Sequence, residues 1–110
     1  MVSSKLVAAS SVPIVLSILA QGESYGYAIL QRVRAVSGGE LEWTEGMLYP
    51  VLHRLERSKL ITSSWGASEE GRRRKYYRIA PSGRAMLEAE RREWDSVDGT
   101  LRLLWGGSHA

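Results

Sequence analysis

The sequence predicts a mainly helical α+β fold, a winged helix-turn-helix with a two-stranded wing and a long C-terminal helix. A helix with one apolar stripe spans Thr44 to Leu60, and a strongly basic segment follows at Gly71 to Arg78. After Pro81, apolar residues recur at spacings of three and four. The 110 residues suffice for one domain with a modest core.

The positive charge of the chain is concentrated in one short segment. Lys and Arg number 15 and Asp and Glu number 12, which gives a net charge of +3. Without the five basic residues of Gly71 to Arg78, the remaining chain would have a net negative charge. A focused basic patch favours docking onto phosphate, although a charge run alone is also compatible with a solvated loop that has no partner.

The composition argues against several other classes of protein. The chain has no Cys, which excludes disulfides and zinc-finger ligands. The apolar run Val12 to Ala20 is too short to span a bilayer, so we expect a cytoplasmic protein without a membrane partner. His53 and His109 are far apart, which argues against a metal site. No catalytic set or phosphate loop is recognisable, so we expect neither an enzyme nor a bound cofactor.

The first predicted helix, Leu6 to Ala20, is apolar on most of its sides. Such a helix needs burial on more than one side, which in so small a protein indicates a partner subunit. Pro13 is expected to start or kink this helix, because proline cannot donate a backbone hydrogen bond. Gln21 and Gly22 end it.

Two capped helices follow. Ser24 is predicted to cap a helix from Tyr25 to about Val36, and Thr44 to cap the third helix. In the third helix a buried stripe is predicted at Leu48, Val51, Leu52 and Leu55.

The side of the third helix opposite this stripe is expected to face solvent and to contact DNA. The Tyr49 hydroxyl can bond a phosphate oxygen or a base edge, or its ring can pack against the wing. Arg54 can contact DNA or pair with Glu45 or Glu56. The candidate DNA-contacting residues in this region are Thr44, Glu45, Gly46, Tyr49, Pro50, His53 and Arg54.

The wing is predicted as a strand at Leu60 to Trp65, a loop at Gly66 to Gly71 and a return strand at Arg74 to Ile79. Trp43 and Trp65 flank the third helix, and Trp65 lies in the first strand of the wing. Both are predicted to have structural roles. The wing residues expected to contact DNA electrostatically are Arg72, Arg73, Arg74 and Lys75.

Pro81 and Ser82 open the last predicted helix, which runs to about Trp105 and would be roughly 34 Å long. So long a helix has little of its own domain to pack on, so its apolar seam is predicted to meet a partner chain. The predicted interface residues are Leu87, Trp94, Val97, Leu101 and Leu104. We therefore divide the chain into a DNA-binding part, 1–80, and a dimerisation helix with a frayed tail, 81–110.

Four stretches of the sequence resemble the PadR family of bacterial transcriptional regulators, and the likeness extends from about residue 12 to residue 104. Their combination, in this order and spacing, is specific to the family. They are Tyr25-Gly26-Tyr27-Ala28-Ile29-Leu30; Gly46-Met47-Leu48-Tyr49-Pro50 with Arg54-Leu55-Glu56; Gly71-Arg72-Arg73-Arg74-Lys75-Tyr76-Tyr77-Arg78; and Pro81-Ser82-Gly83-Arg84. Trp94 with Val97-Asp98 resembles the short subgroup that has a single C-terminal helix.

The resemblance implies a homodimeric repressor that binds a double-stranded DNA operator and responds to a small aromatic or hydrophobic ligand in a pore at the dimer centre. Trp94 matches the tryptophan that flanks this pore. The chain departs from the family at Lys59, where Gly is usual, and at Ala80, where Thr is common, which leaves capping of the last helix to Ser82. The expected ligand-binding residues are Trp94, Val97, Asp98, Val12, Val15, Ala9 and Leu6.

Two other functions remain open at this point. A winged-helix module whose wing binds an acidic protein partner would show the same charge pattern, and a dimer that sequesters hydrophobic drugs would need no operator. Specific binding of duplex DNA would distinguish a transcriptional regulator from the protein-interaction module. Release from DNA by a ligand would distinguish a regulator from the drug-sequestering dimer.

Overall fold

The structure is a computed structural model, and it describes residues 2–106. Four helices and three strands follow in the order α1, β1, α2, α3, β2, β3, α4, and the predicted α+β architecture is confirmed. The predicted tail beyond residue 106, together with His109, lies outside the described residues. None of the helices between residues 2 and 106 combines the length and the apolar character that a membrane span requires.

Helix α1 spans Ser4–Ala20, and the Ser3 hydroxyl caps it by accepting a hydrogen bond from the Leu6 amide at 3.3 Å. The helix begins nine residues before Pro13, so the expectation that Pro13 starts it was wrong. One side of α1 is completely buried at Val15, Leu16 and Leu19. The helix thus provides the base on which the rest of the core packs.

The second helix, α2, spans Gly26–Val36, and here the sequence prediction was wrong in one respect. Ser24 does not cap it, because Ser24–Tyr25 forms a short strand, β1, paired antiparallel with Tyr76 and Tyr77. Tyr25 occupies the cap position without a side-chain hydrogen bond. The backbone pairing with a distant strand holds this segment extended, and the local sequence does not reveal that pairing.

Helix α3 spans Glu45–Arg57, and its predicted cap is confirmed. The Thr44 hydroxyl accepts a hydrogen bond from the Met47 amide at 3.3 Å. The predicted stripe of Leu48, Val51, Leu52 and Leu55 is buried. Lys59, just past the helix, has a φ of 64°, the left-handed conformation in which a side chain costs about 1 kcal/mol relative to glycine.

The wing consists of β2 (Ile61–Ala67) and β3 (Arg73–Ile79), paired from Ile61 with Ile79 to Ala67 with Arg73. Each strand is one or two residues longer at the tip than predicted. Because β1 also pairs with β3, the wing belongs to a three-stranded sheet of order β1-β3-β2 rather than standing as two strands alone.

Helix α4 spans Pro81–Leu104 and extends beyond the rest of the domain. With α4 included, the described structure measures 53 × 29 × 22 Å. Pro81 occupies the first helical position, where its fixed φ suits the helix. The prediction that Ser82 caps α4 was wrong, because the Ser82 hydroxyl donates a hydrogen bond to the Lys59 carbonyl at 2.6 Å. This bond ties the start of α4 to the turn after α3.

Candidate nucleic-acid interface

The outward side of α3 is exposed along its whole length, because the opposite stripe anchors the helix in the core. The predicted DNA-contacting side chains on this helix are therefore accessible, and the Thr44 cap fixes where their helix begins. The exposed residues of this set are Thr44, Glu45, Gly46, Tyr49, Pro50, His53 and Arg54.

Tyr49 lies directly against the first residue of α2. A Cβ atom on Gly26 would overlap the Tyr49 hydroxyl, so the absence of a side chain at Gly26 makes room for the ring. Tyr49 keeps 36% of its surface exposed. Its position is thus set by α2 as well as by α3.

A cleft of about 530 Å³ separates α3 from the wing, and the start of α2 closes one end of it. Several predicted site residues from α3 and the wing come together here, although they lie far apart in the sequence. The lining residues are Tyr25, Gly26, Tyr27, Tyr49, His53, Trp65, Arg73, Arg74, Lys75 and Tyr77. Of the other candidates, Thr44, Glu45, Gly46, Pro50, Arg54 and Arg72 do not line the cleft.

The four predicted cations of the wing have different surroundings. Arg72 is exposed at the tip, and no ion pair or ring contact involves it within residues 2–106. The Arg73 guanidinium lies 4.5 Å from the centre of the Trp65 ring, and that of Arg74 lies 3.8 Å from the centre of the Tyr25 ring. Lys75 forms an ion pair with Glu56 at 3.7 Å, so part of its charge is already compensated by α3.

Two titrating groups at the cleft have shifted pKa values. The hydrogen bond from Arg74 to the Tyr76 hydroxyl raises the pKa of the Arg74 guanidinium above its ordinary value, so this side chain remains charged. Burial raises the pKa of Tyr77, which therefore remains neutral at the base of the cleft.

Sequence reasoning missed the residues that hold the wing in place. Glu56 joins α3 to the sheet, because it pairs with Lys75 and accepts a short hydrogen bond from the Ser63 hydroxyl. Glu23 pairs with Arg78 at 2.8 Å. Trp43 is buried, whereas Trp65 is 59% exposed and its ring lies beneath the Arg73 guanidinium. These ion pairs can be recognised only when the strand register is known.

Trp94 is the predicted ligand residue that lines a cavity in the structure. This cavity, of about 470 Å³, lies between α1, α2 and α4, and its walls are mostly apolar. The Trp94 indole N–H donates to Glu90 at 3.1 Å, which fixes the ring orientation. The α1 residues lining the cavity are Ser10, Pro13, Ile14, Ser17 and Ile18, none of which the sequence pattern had indicated.

The other predicted ligand residues do not line this cavity. Val15 is completely buried among core side chains, so its assignment to an accessible ligand site was wrong. Val12 is half-buried, and Leu6, Ala9 and Val97 are exposed elsewhere. Asp98 pairs with Arg102 at 2.9 Å on the surface of α4.

The predicted interface residues of α4 divide into two groups. Leu87 is only 8% exposed and packs in the core of its own chain, which corrects its assignment to a dimer seam. The helix is still in contact with its own domain at that point, and it leaves the domain farther along. The side chains that remain available to a partner are Trp94, Val97, Leu101 and Leu104.

Comparison with known proteins identifies the family to which the chain is similar. The PadR-like family of transcriptional regulators matches residues 15–89. An uncharacterized protein of Lysinibacillus sphaericus is 32% identical over 107 residues, covering 97% of this chain and 98% of its own length. The structure is similar to a transcriptional regulator from Clostridium thermocellum (TM-score 0.84, 32% identity, 93% of this chain and 96% of that chain). It also resembles a PadR-like transcriptional regulator from Bacillus cereus (TM-score 0.83, 31% identity, 96% and 100%).

The family match extends from the last part of α1 through the wing to the first part of α4, and the two structural matches each cover more than nine-tenths of the chain. The chain therefore belongs to the PadR-like family and is a DNA-binding transcriptional regulator.

Proposed function

We propose that the protein is a homodimeric repressor that binds an operator through α3 and the wing and is released by a planar aromatic or hydrophobic ligand. The observation that carries the DNA-binding part is the common face formed by the exposed side of α3 and the arginines of the wing. On this face a helix suited to the major groove lies beside cations suited to phosphate.

In this proposal α3 enters the major groove and presents Tyr49 and His53, while Arg72 and Arg73 contact the backbone beside it. A two-fold dimer would place its two recognition helices about 34–36 Å apart, one turn of the duplex. The residues of the 1–80 part then read the operator, and α4 sets the separation between the two copies.

The ligand part of the proposal is supported by the cavity beside Trp94. Its apolar walls and its volume of about 470 Å³ suit a small planar compound, and an indole ring can stack on such a compound. Because Trp94 of α4 faces α1 residues across this cavity, a bound ligand would shift α4 relative to α1. That shift would change the separation of the two recognition helices and weaken operator binding.

The role of the wing is tested by measuring DNA affinity at several salt concentrations. Replacing Arg72 and Arg73 by Ala is expected to lower affinity similarly for all duplex sequences. It should also flatten the salt slope by about one unit for each phosphate that is no longer neutralised. Arg91→Ala together with Arg92→Ala removes the same charge from exposed positions of α4 and serves as the control. A slope that is the same in both double variants would contradict the proposal.

The ligand role of Trp94 is tested with planar aromatic compounds. We expect Trp94→Ala to weaken the binding of such a compound more than the binding of DNA, because the variant loses the stacking ring while the DNA face is unchanged. Equal affinity of variant and parent for the compound would contradict the role. A parent that binds the compound but does not prefer its operator to a random duplex would instead favour the drug-sequestering alternative.

A further inference from the structure

Two arginines of the wing hold their guanidinium groups over aromatic rings from neighbouring strands. The Arg73 guanidinium is 4.5 Å from the centre of the Trp65 ring on β2, and the Arg74 guanidinium is 3.8 Å from the centre of the Tyr25 ring on β1. Both distances are within the range in which the negative face of a ring attracts a cation.

The strand register produces both contacts by the same geometry. Trp65 pairs with Lys75, and Arg73 lies two residues from Lys75, at the diagonal position. Tyr25 pairs with Tyr76, and Arg74 again lies two residues away. Diagonal cross-strand neighbours are within reach of long and aromatic side chains. Because Arg73 and Arg74 are adjacent in one strand, they point to opposite sides of the sheet, and each has a ring on its own side.

Burial does not explain why a tryptophan occupies position 65. Trp65 is 59% exposed, so most of its surface faces solvent. The ring lines the cleft between α3 and the wing, and its contact is with Arg73 in that same cleft. A ring that remains exposed while it supports a cation fits a role in the recognition surface rather than in the core.

We propose that Trp65 is a positioning residue that holds the Arg73 guanidinium in its DNA-binding orientation before DNA arrives. This inference rests on the proposed function of the wing as a DNA contact. A long arginine side chain loses rotamer freedom when it is fixed on a phosphate, and a ring that already restricts it lowers this loss. A guanidinium held over a ring can still donate hydrogen bonds to a phosphate through its N–H groups.

The experiment compares operator affinity in a double-mutant cycle of Trp65→Leu and Arg73→Ala. Trp65→Leu is expected to bind about two- to five-fold more weakly than the parent, the effect of removing one exposed cation–π interaction. Trp65→Phe keeps a ring and is expected to retain most of the affinity. In the Arg73→Ala background, Trp65→Leu is expected to have no further effect, because the ring acts through Arg73.

A second measurement follows the arginine in the absence of DNA. Nitrogen-15 relaxation of the Arg73 Nε–H group is expected to show greater mobility in Trp65→Leu than in the parent, and near-parent order in Trp65→Phe. Thermal unfolding of each variant checks that the sheet remains folded.

Two results would overturn the inference. One is unchanged mobility of Arg73 in Trp65→Leu. The other is a full additional decrease in operator affinity when Trp65→Leu is added to Arg73→Ala, which would mean that the ring itself contacts DNA or supports the fold. Failure of the proposed function is a separate result. If the parent protein does not prefer its operator to a random duplex, sequence-specific DNA recognition is refuted, whatever the relaxation data show for Arg73.

Discussion

Gly26 is the position at which the absence of a side chain shapes the proposed DNA-binding face of α3 and the wing. The Tyr49 ring occupies the space that a Cβ atom on Gly26 would need. Gly26 does not have a positive φ, so alanine would suit the backbone of this first helical position. The glycine is therefore explained by the ring of Tyr49 rather than by the conformation of α2.

Gly26→Ala is expected to push the Tyr49 ring out of place and to weaken operator binding about ten-fold, the effect of removing one hydrogen bond to a charged phosphate. The fold should persist, because Tyr49 can move toward solvent. Binding titrations with a labelled operator would measure the change. In the Gly26→Ala background, Tyr49→Ala should add little, and a large further decrease in affinity would show that Gly26 does not act through Tyr49.

Sequence reasoning succeeded at residues whose role is local and failed where the role depends on a distant strand. The Thr44 cap and the buried stripe of α3 follow from spacing alone, and both are confirmed. The partners of Arg73 and Arg74 depend on which strands pair and in which register. Nothing in the neighbouring sequence specifies that register, so the contact between Trp65 and Arg73 could not be predicted.

Helix α4 is the element whose two halves have different surroundings. Its first part is fastened to the domain, since a Cβ atom on Gly83 would overlap the Leu60 carbonyl oxygen and lie 2.8 Å from a side-chain atom of Ile79. The Ser82 hydroxyl adds a hydrogen bond to the same turn. Around Gly99, by contrast, a Cβ atom would meet nothing within 4 Å. The helix thus has a tight joint at one end and an open surface at the other.

This difference predicts opposite effects of the same substitution within one helix. Gly83→Ala is expected to destabilise the protein by about 1–3 kcal/mol, because the methyl group overpacks against backbone that cannot move away easily. Gly99→Ala is expected to raise stability by up to about 1 kcal/mol, because alanine is the better helix former. Denaturant unfolding of both variants measures the two changes. A destabilised Gly99→Ala would mean that this position is packed against a partner copy.

The sequence predicted α4 and its apolar seam but not the point at which the helix leaves its own domain. The seam positions continue from Leu87 to Leu101 at regular spacing, and periodicity cannot distinguish a stripe that meets its own core from one that meets another chain. Strand β1 was missed for a different reason, since two residues are too few to show a pattern of their own.

For the whole molecule, the exposed end of α4 is the feature that bears on the proposed homodimer. Val97 is 55% exposed and Leu101 37%, and both continue the stripe that carries Trp94. A contiguous apolar surface of this kind marks an interaction site. The same stripe on a second copy supports the proposed homodimer, with α4 as its main contact.

Leu101→Glu is expected to dissociate the dimer, because it places a charge in the middle of the seam. Leu103→Glu is the matched control, since Leu103 is 74% exposed and lies about half a helical turn away from Leu101, off the seam. Sedimentation equilibrium would give the mass of each variant. Dissociation of the dimer in both variants, or in neither, would contradict an interface built on this stripe.

Sequence-specific DNA binding is the property on which the proposed function depends. The most direct measurement is a titration of the protein against its own upstream DNA at two salt concentrations, with a random duplex as competitor. We expect tight binding that resists the competitor at both salt concentrations, followed by release when a suitable planar aromatic compound is added. Weak binding that disappears with salt and does not distinguish the two duplexes would contradict sequence-specific recognition, and would favour a wing that binds an acidic protein partner.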